Sequence, residues 1–385
     1  MLIYTGVLLV LLIPYLKNGA KIYNNEKLVN FYFVVLFLVS ALNYGLGSDV
    51  FGFVGSEGGY YEAYRHINPI YDLKSSDFNK DTWQPGFVVL FSFIKGLSPN
   101  YLFYQIFHAF IINLVIIYFI KRNNSHIALC LFFYCVLNYF DYNFEIQRES
   151  FCIILGLLMY EILDKNEGYK YYIITIVLAI SAFFLLHRSA FVLLLIPLLK
   201  RVKLNNAIIF TCFIVNLLIH FIWIRYASAL SVVIDVISGD VYEGYLTREY
   251  QGSGTLIYYL RIALINVLIP YTCVYISHKS GEKKYIAFAM LSIAFETLAD
   301  FTFAFHRMYG YFAPFYWLVL ADTFVYLSKT ILKSYLTRAI VMCCMFYYIM
   351  YTYHNIYFVY DSVNQQYVYE RYIPYKSVLE NGNKY

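Results

Sequence analysis

Sixteen of the 29 Lys and Arg residues fall into six short gaps between long apolar runs: Lys17/Lys21/Lys27, Lys121/Arg122, Lys165/Lys170, Lys200/Arg201/Lys203, Lys279/Lys283/Lys284 and Lys329/Lys333/Arg338. Short basic loops face the cytoplasm, so this pattern both requires a membrane and orients the chain in it. With 61% hydrophobic residues, 14% charged residues and a mean hydropathy of +0.57, the chain cannot cover a globular surface with polar groups. Its apolar runs approach the length of about 20 residues that a helix needs to cross hydrocarbon. They are continuous rather than alternating, which argues against a β-barrel. The expected class is an all-α, polytopic integral membrane protein.

Keeping the basic loops inside gives about twelve spans, near residues 2–16, 28–46, 100–120, 126–142, 147–164, 170–186, 188–199, 205–226, 257–278, 284–303, 308–328 and 336–358. Both termini then lie outside, and the first run reads as an uncleaved span rather than a signal peptide, because no basic region precedes it. Residues 86–97 would invert every later loop if they crossed, so they read as a re-entrant or surface-lying helix. The chain forms one membrane domain over 1–385, with long outer loops at 47–85 and 227–256 and an outer tail at 359–385. The density of Tyr and Phe in these loops argues against disorder.

The seven Cys lie inside apolar segments without a CxxC pair and read as core hydrophobes; no metal-ligand spacing and no cofactor motif is present. A net charge of +5, spread among loops, speaks of orientation and not of nucleic acid. The basic residues outside the six gaps differ in kind: eight of eleven Arg but only five of eighteen Lys.

Ionisable residues at membrane depth are expensive and by default mark a site or a pathway. Four places qualify, all at the outer face. Asn143 to Glu149 open a span, with Glu145 and Arg148 three apart; an arginine snorkelling to the headgroups accounts for Arg148 equally well. His187-Arg188-Ser189 are wedged between two apolar runs in a tight outer turn. Glu296, Asp300, His306 and Arg307 surround a later turn, where an intramembrane ion pair with Arg307 competes with catalysis. Gly47-Ser48-Asp49 with Tyr60, Tyr61, Tyr64, Arg65 and His66 occupy the first loop, which alone would read as solvated polar surface. Outer-face guanidinium suits phosphate or diphosphate, because the planar fork gives bidentate contacts and keeps its charge. No DxD motif or glycine-rich nucleotide loop points to a nucleotide-sugar donor.

At these residues the sequence resembles the EpsG/Wzy family of bacterial polysaccharide polymerases. The family's G-x-D…Y loop looks like Gly47-Ser48-Asp49 with Tyr61 and Tyr64, and its N-x-x-R-Q-type motif looks like Asn143 to Arg148, with Gln147-Arg148 in reversed order. Its F-H-x-S-A motif is similar to Leu186-His187-Arg188-Ser189-Ala190, its R-x-x-Y-F element to Arg307-Met308-Tyr309-Gly310-Tyr311-Phe312, and its Y-x-P-Y-K end to Tyr372-Ile373-Pro374-Tyr375-Lys376.

The resemblance implies a glycosyltransferase of the bacterial inner membrane. It would join undecaprenyl-diphosphate-linked oligosaccharide repeats at the periplasmic face, making O-antigen, capsule or exopolysaccharide without a metal or cofactor. On that reading His187 is the favoured general base, with Asp49 and Asp300 as the other candidates. Arg148, Arg188, Arg307 and Arg65 would hold the diphosphate. Tyr61, Tyr64, Glu145 and His306 would hold the acceptor sugar. The lipid-linked repeat is expected as both donor and acceptor, the bilayer as environment, and a chain-length regulator as a protein partner. An O-antigen ligase or a flippase or other transporter of lipid-linked sugars are the alternatives. Crowding of the unusual residues at one face, together with the motif order, favours the polymerase.

Overall fold

A computed structural model of the protein describes residues 2–18, 26–44, 46–51, 59–78, 83–221, 260–281, 283–299, 303–330, 334–336, 339, 358–361, 366–370 and 377–381. Helices dominate these residues, and a short antiparallel hairpin pairs Phe358–Asp361 with Gln366–Glu370. Helices Tyr101–Asn123 and Leu260–Lys279 are long and apolar enough to cross a membrane, and several shorter apolar helices accompany them. Helix Tyr169–Leu185 turns Ile173, Val177 and Phe184 outward at 54–63% exposure. Water would penalise such a stripe, whereas lipid tails accept it. The chain is a helical membrane protein, and its described residues form two compact units.

The first unit comprises residues 1–161, 177–191 and 327–385. Helix Leu2–Asn18 packs on helix Ile127–Leu137, and helix Glu26–Ala41 packs on Tyr101–Asn123. Asn113 Nδ2 donates to Ser40 Oγ (3.1 Å) and Asn143 Oδ1 (2.9 Å), while Asn143 Nδ2 donates to the Tyr134 hydroxyl (2.7 Å) and the Tyr139 carbonyl (2.9 Å). These groups are buried, so each hydrogen bond offsets a desolvation cost and ties one helix to the next. Gln105 donates to the carbonyls of Ala41 and Asn43, satisfying the end of helix 26–41. The tail returns here: Val378 N–H donates to the Leu42 carbonyl at 3.0 Å, and Ser377 bridges Asn43. At the far end of the same helix, Glu26 pairs with Lys121, and Arg122 pairs with Glu161.

The second unit comprises residues 162–176 and 192–326. Helix Ile286–Ala299 packs against Ile269–Lys279, and Phe288 stacks on Phe315 of the long helix Phe303–Thr330, ring centroids 4.7 Å apart. Asp164 accepts from both Lys200 (2.7 Å) and Lys284 (3.0 Å), and Asp322 accepts from Ser277, Tyr285 and Lys283. In each unit, therefore, basic residues of the expected cytoplasmic gaps pair with carboxylates, and in the second unit Asp164 takes two of them.

Several expected boundaries shift. The run at 126–142 is not one continuous crossing: its helix stops at Leu137, and a wide π turn, Asp141–Glu145, precedes the helix Gln147–Lys165. Eleven residues of helix rise only about 16 Å, roughly half the hydrocarbon thickness. Ile146 (ψ 50°) breaks the chain between Glu145 and Arg148, so these two do not share a continuous helical face. Residues 85–97 form the expected short helix, and the first loop holds helices Ser48–Phe51 and Tyr60–His66. The loop at 227–256, Asp300 and the motif 372–376 lie outside the described residues, as does most of the expected span at 336–358.

Candidate active site

In the first unit the chain brings three of the four sequence-marked places together. Gly47 is the hinge of the first. Its φ of +88° lies in the left-handed region, and a Cβ there would strike the carbonyl oxygen of Phe144. Only glycine lets helix 48–51 settle on the 141–145 turn, so Gly47-Ser48-Asp49 lies beside the start of helix 147–165. The Asp49 side chain is exposed.

Helix 147–165 then sends successive residues to different surroundings, as its roughly 100° step per residue requires. Gln147 turns into the core, where its Oε1 accepts from the Tyr101 hydroxyl at 3.1 Å. Arg148 turns to the first loop instead. Its Nη1 donates to Gln84 Oε1 at 3.0 Å, its backbone N–H donates to the Tyr60 hydroxyl at 3.3 Å, and its guanidinium carbon lies 4.4 Å from the Trp83 ring centroid. Trp83 is itself backed by Phe87, the rings stacked at 5.5 Å. Burial pushes the Tyr60 phenol up, opposed by the positive charge of Arg148, and the charge of Asp49 also reaches this phenol. Asp49, Tyr60 and Arg148 thus share one electrostatic environment.

The third place is the turn after helix 169–185. The N–H groups of Leu186 and His187 both donate to the Ala182 carbonyl, closing the helix, and residues 188–194 restart at once as a 3-10 helix. Gly86 permits this approach: a Cβ on it would sit 2.7 Å from the Leu185 carbonyl oxygen. His187 is buried, and its Nδ1 lies 2.6 Å from Ser189 Oγ, which in turn donates to Glu149 Oε1 at 2.7 Å. His187 is therefore tied to the residue next to Arg148. Arg188 is exposed on the same turn.

Other expected residues fall differently. Tyr64 is fully enclosed, its hydroxyl donating to the Ser98 carbonyl at 2.7 Å, so it builds the loop and offers no ring face to a sugar. Tyr61 is half-buried beside Tyr101, with the Arg65 guanidinium 5.8 Å from its ring; Arg65 is exposed and paired with Glu62 at 2.9 Å. Glu145 is buried in the π turn. In the second unit Glu296 Oε2 lies 3.4 Å from His306 Nδ1, His306 stacks on Tyr309, and Arg307 follows it. No role for Glu149, Ser189, Trp83 or Gln84 is expected from the residues alone; the signal available is that Glu149 adjoins Arg148 and Ser189 adjoins Arg188. Among the described residues no group of His, Cys, Asp and Glu is placed to hold a metal.

No curated protein and no solved structure matches the chain. The model of the EpsG family matches residues 1–377, essentially the whole length. On a match of that extent the chain belongs to the EpsG family, whose members are Wzy-like polysaccharide polymerases.

Proposed function

We propose that the protein joins undecaprenyl-diphosphate-linked oligosaccharide repeats at the periplasmic face of the bacterial inner membrane, transferring the growing chain to a hydroxyl of the next lipid-linked repeat. The carrying observation is the link from His187 through Ser189 to Glu149, one residue from Arg148. In this scheme His187 takes the proton of the acceptor hydroxyl, whose oxygen bonds to the anomeric carbon as the bond from that carbon to the diphosphate breaks. Arg148 and Arg188 stabilise the charge that accumulates on the departing diphosphate. Arg148 is suited to this because Trp83 and Gln84 already orient its fork, so little reorganisation is needed. Asp49 and the outer residues near Tyr61 border the acceptor. The step as written uses no metal or cofactor. The gathering of basic gaps around Asp164, Glu26 and Glu161, away from Arg148 and His187 in the sequence, supports the periplasmic orientation.

Deleting the gene in its host and resolving the surface glycan on a gel tests the reading. Collapse of the ladder to single repeats, restored by the wild-type gene, is the expected result. Polymer that persists on the lipid carrier would make the protein a ligase, and loss of all surface repeats would make it a transporter.

A further inference from the structure

Ser189 has one hydroxyl proton and two neighbours that can claim it. Its Oγ lies 2.6 Å from His187 Nδ1 and 2.7 Å from Glu149 Oε1. An ionised carboxylate only accepts, so with Glu149 charged the Ser189 hydroxyl donates to it. The proton between the ring and Ser189 Oγ must then be carried by Nδ1, and the basic lone pair is on Nε2. The backbone N–H of Ser189 also approaches Nδ1, at 3.2 Å, and serves the opposite tautomer, in which Nδ1 accepts and Nε2 is protonated. An acceptor, Ser189 Oγ, and a donor, the Ser189 N–H, thus compete over one nitrogen, and the carboxylate decides between them. All three side chains are buried, with Glu149 at 2%, Ser189 at 7% and His187 at 8% exposure, so the hydrogen bonds act in a medium where they are strong. Glu149 also stands in the first turn of helix 147–165, where the helix dipole favours a negative charge.

We propose that Glu149, acting through Ser189, is a positioning residue for the glycosyl transfer: it selects the Nδ1–H tautomer of His187 and so presents Nε2 as the base. The inference rests on the reading of His187 as that base. When Nε2 takes the acceptor proton, the O–H bond breaks, an N–H bond forms, and the ring becomes a cation. Glu149 holds the compensating negative charge two hydrogen bonds away, and the ring returns to its resting form by losing that proton to water. The relay joins residues 40 apart in sequence.

The test is nitrogen NMR of the full-length protein in detergent, labelled with ¹⁵N-histidine, with His187→Ala supplying the assignment. Wild type should show His187 protonated at Nδ1. In Glu149→Gln the amide donates to Ser189, the hydroxyl turns to Nδ1, and the tautomer should flip to Nε2–H, with polymer synthesis falling about 10²- to 10⁴-fold. Glu149→Asp should keep the tautomer and part of the activity. Ser189→Ala, which removes the hydroxyl that accepts from Nδ1 and keeps the backbone N–H against it, should flip the ring in the same way and serves if Glu149→Gln does not fold. An unchanged tautomer in the Glu149→Gln or Ser189→Ala protein overturns the proposal. A flipped tautomer with undiminished polymer synthesis upholds the positioning and overturns, instead, His187 as the base.

Discussion

Arg148 holds its guanidinium carbon 4.4 Å from the ring centroid of Trp83, and Gln84, the next residue, accepts one of its N–H groups at 3.0 Å. An arginine that merely snorkelled to the headgroups would need neither partner. The pair joins the first loop to the start of helix 147–165, and it orients the planar guanidinium fork.

Arg148→Lys should therefore be far from conservative. Lysine keeps the charge but loses the fork and the stacked plane, and at least tenfold less polymer is expected at unchanged protein level. Trp83→Leu should cost about 0.5–2 kcal/mol of positioning, up to roughly thirtyfold in rate. Densitometry of the glycan ladder checks both; an Arg148→Lys strain with a normal ladder would remove the guanidinium from the mechanism.

Gly47→Ala should destabilise the protein rather than its chemistry. The left-handed backbone alone costs roughly 1–2 kcal/mol for an alanine, and the Phe144 carbonyl adds a clash. A thermal melt in detergent should drop by several degrees, whereas Ser48→Ala, with ordinary backbone needs, should not move it.

The tail offers a geometric check. Cysteines placed at Asn43 and Ser377, which face each other as a β-bridge, should form a disulfide when exported to an oxidising compartment. Among the described residues the buried native cysteines Cys130, Cys135, Cys152 and Cys273 should not compete. Thiol labelling before and after reduction reads the result, and two freely labelled thiols would contradict the pairing.

How much of this was legible in the residues varied with sequence distance. The apolar runs and basic gaps marked most helix positions, because burial in lipid is written residue by residue. The break at 138–146 was not visible, since the π turn is held by Asn143 reaching Asn113 on another helix. The direction of Arg148 likewise depends on Gln147 finding Tyr101, 46 residues away. His187 and Arg148 stand out by their chemistry and Asp49 only through the family resemblance, whereas the partner of Glu149, Ser189, lies 40 residues away in sequence. Tyr64 erred the other way: its place in the first loop concealed that its ring is enclosed.

Asp77 gives a pH dependence confined to the first loop. Burial pushes its carboxyl up, but donors from Lys74 and Asn68 outweigh this and hold it below the usual range. A lowered folded-state value stabilises the loop above the ordinary carboxylate value of about 3.9, and that contribution disappears as pH falls through the folded value. Asp77→Asn should cost about 1–3 kcal/mol near neutrality and flatten the acid limb of the melting curve. A variant whose acid limb matches wild type would show that the stabilisation lies elsewhere.

Purified protein in liposomes, supplied with undecaprenyl-diphosphate-linked repeat as the only glycan, can be followed by ladder length and by released undecaprenyl diphosphate. Wild type should build a ladder and release one undecaprenyl diphosphate per linkage, while His187→Ala and Arg148→Ala, equally well inserted, should do neither. A ladder of normal length from both variants would contradict the account.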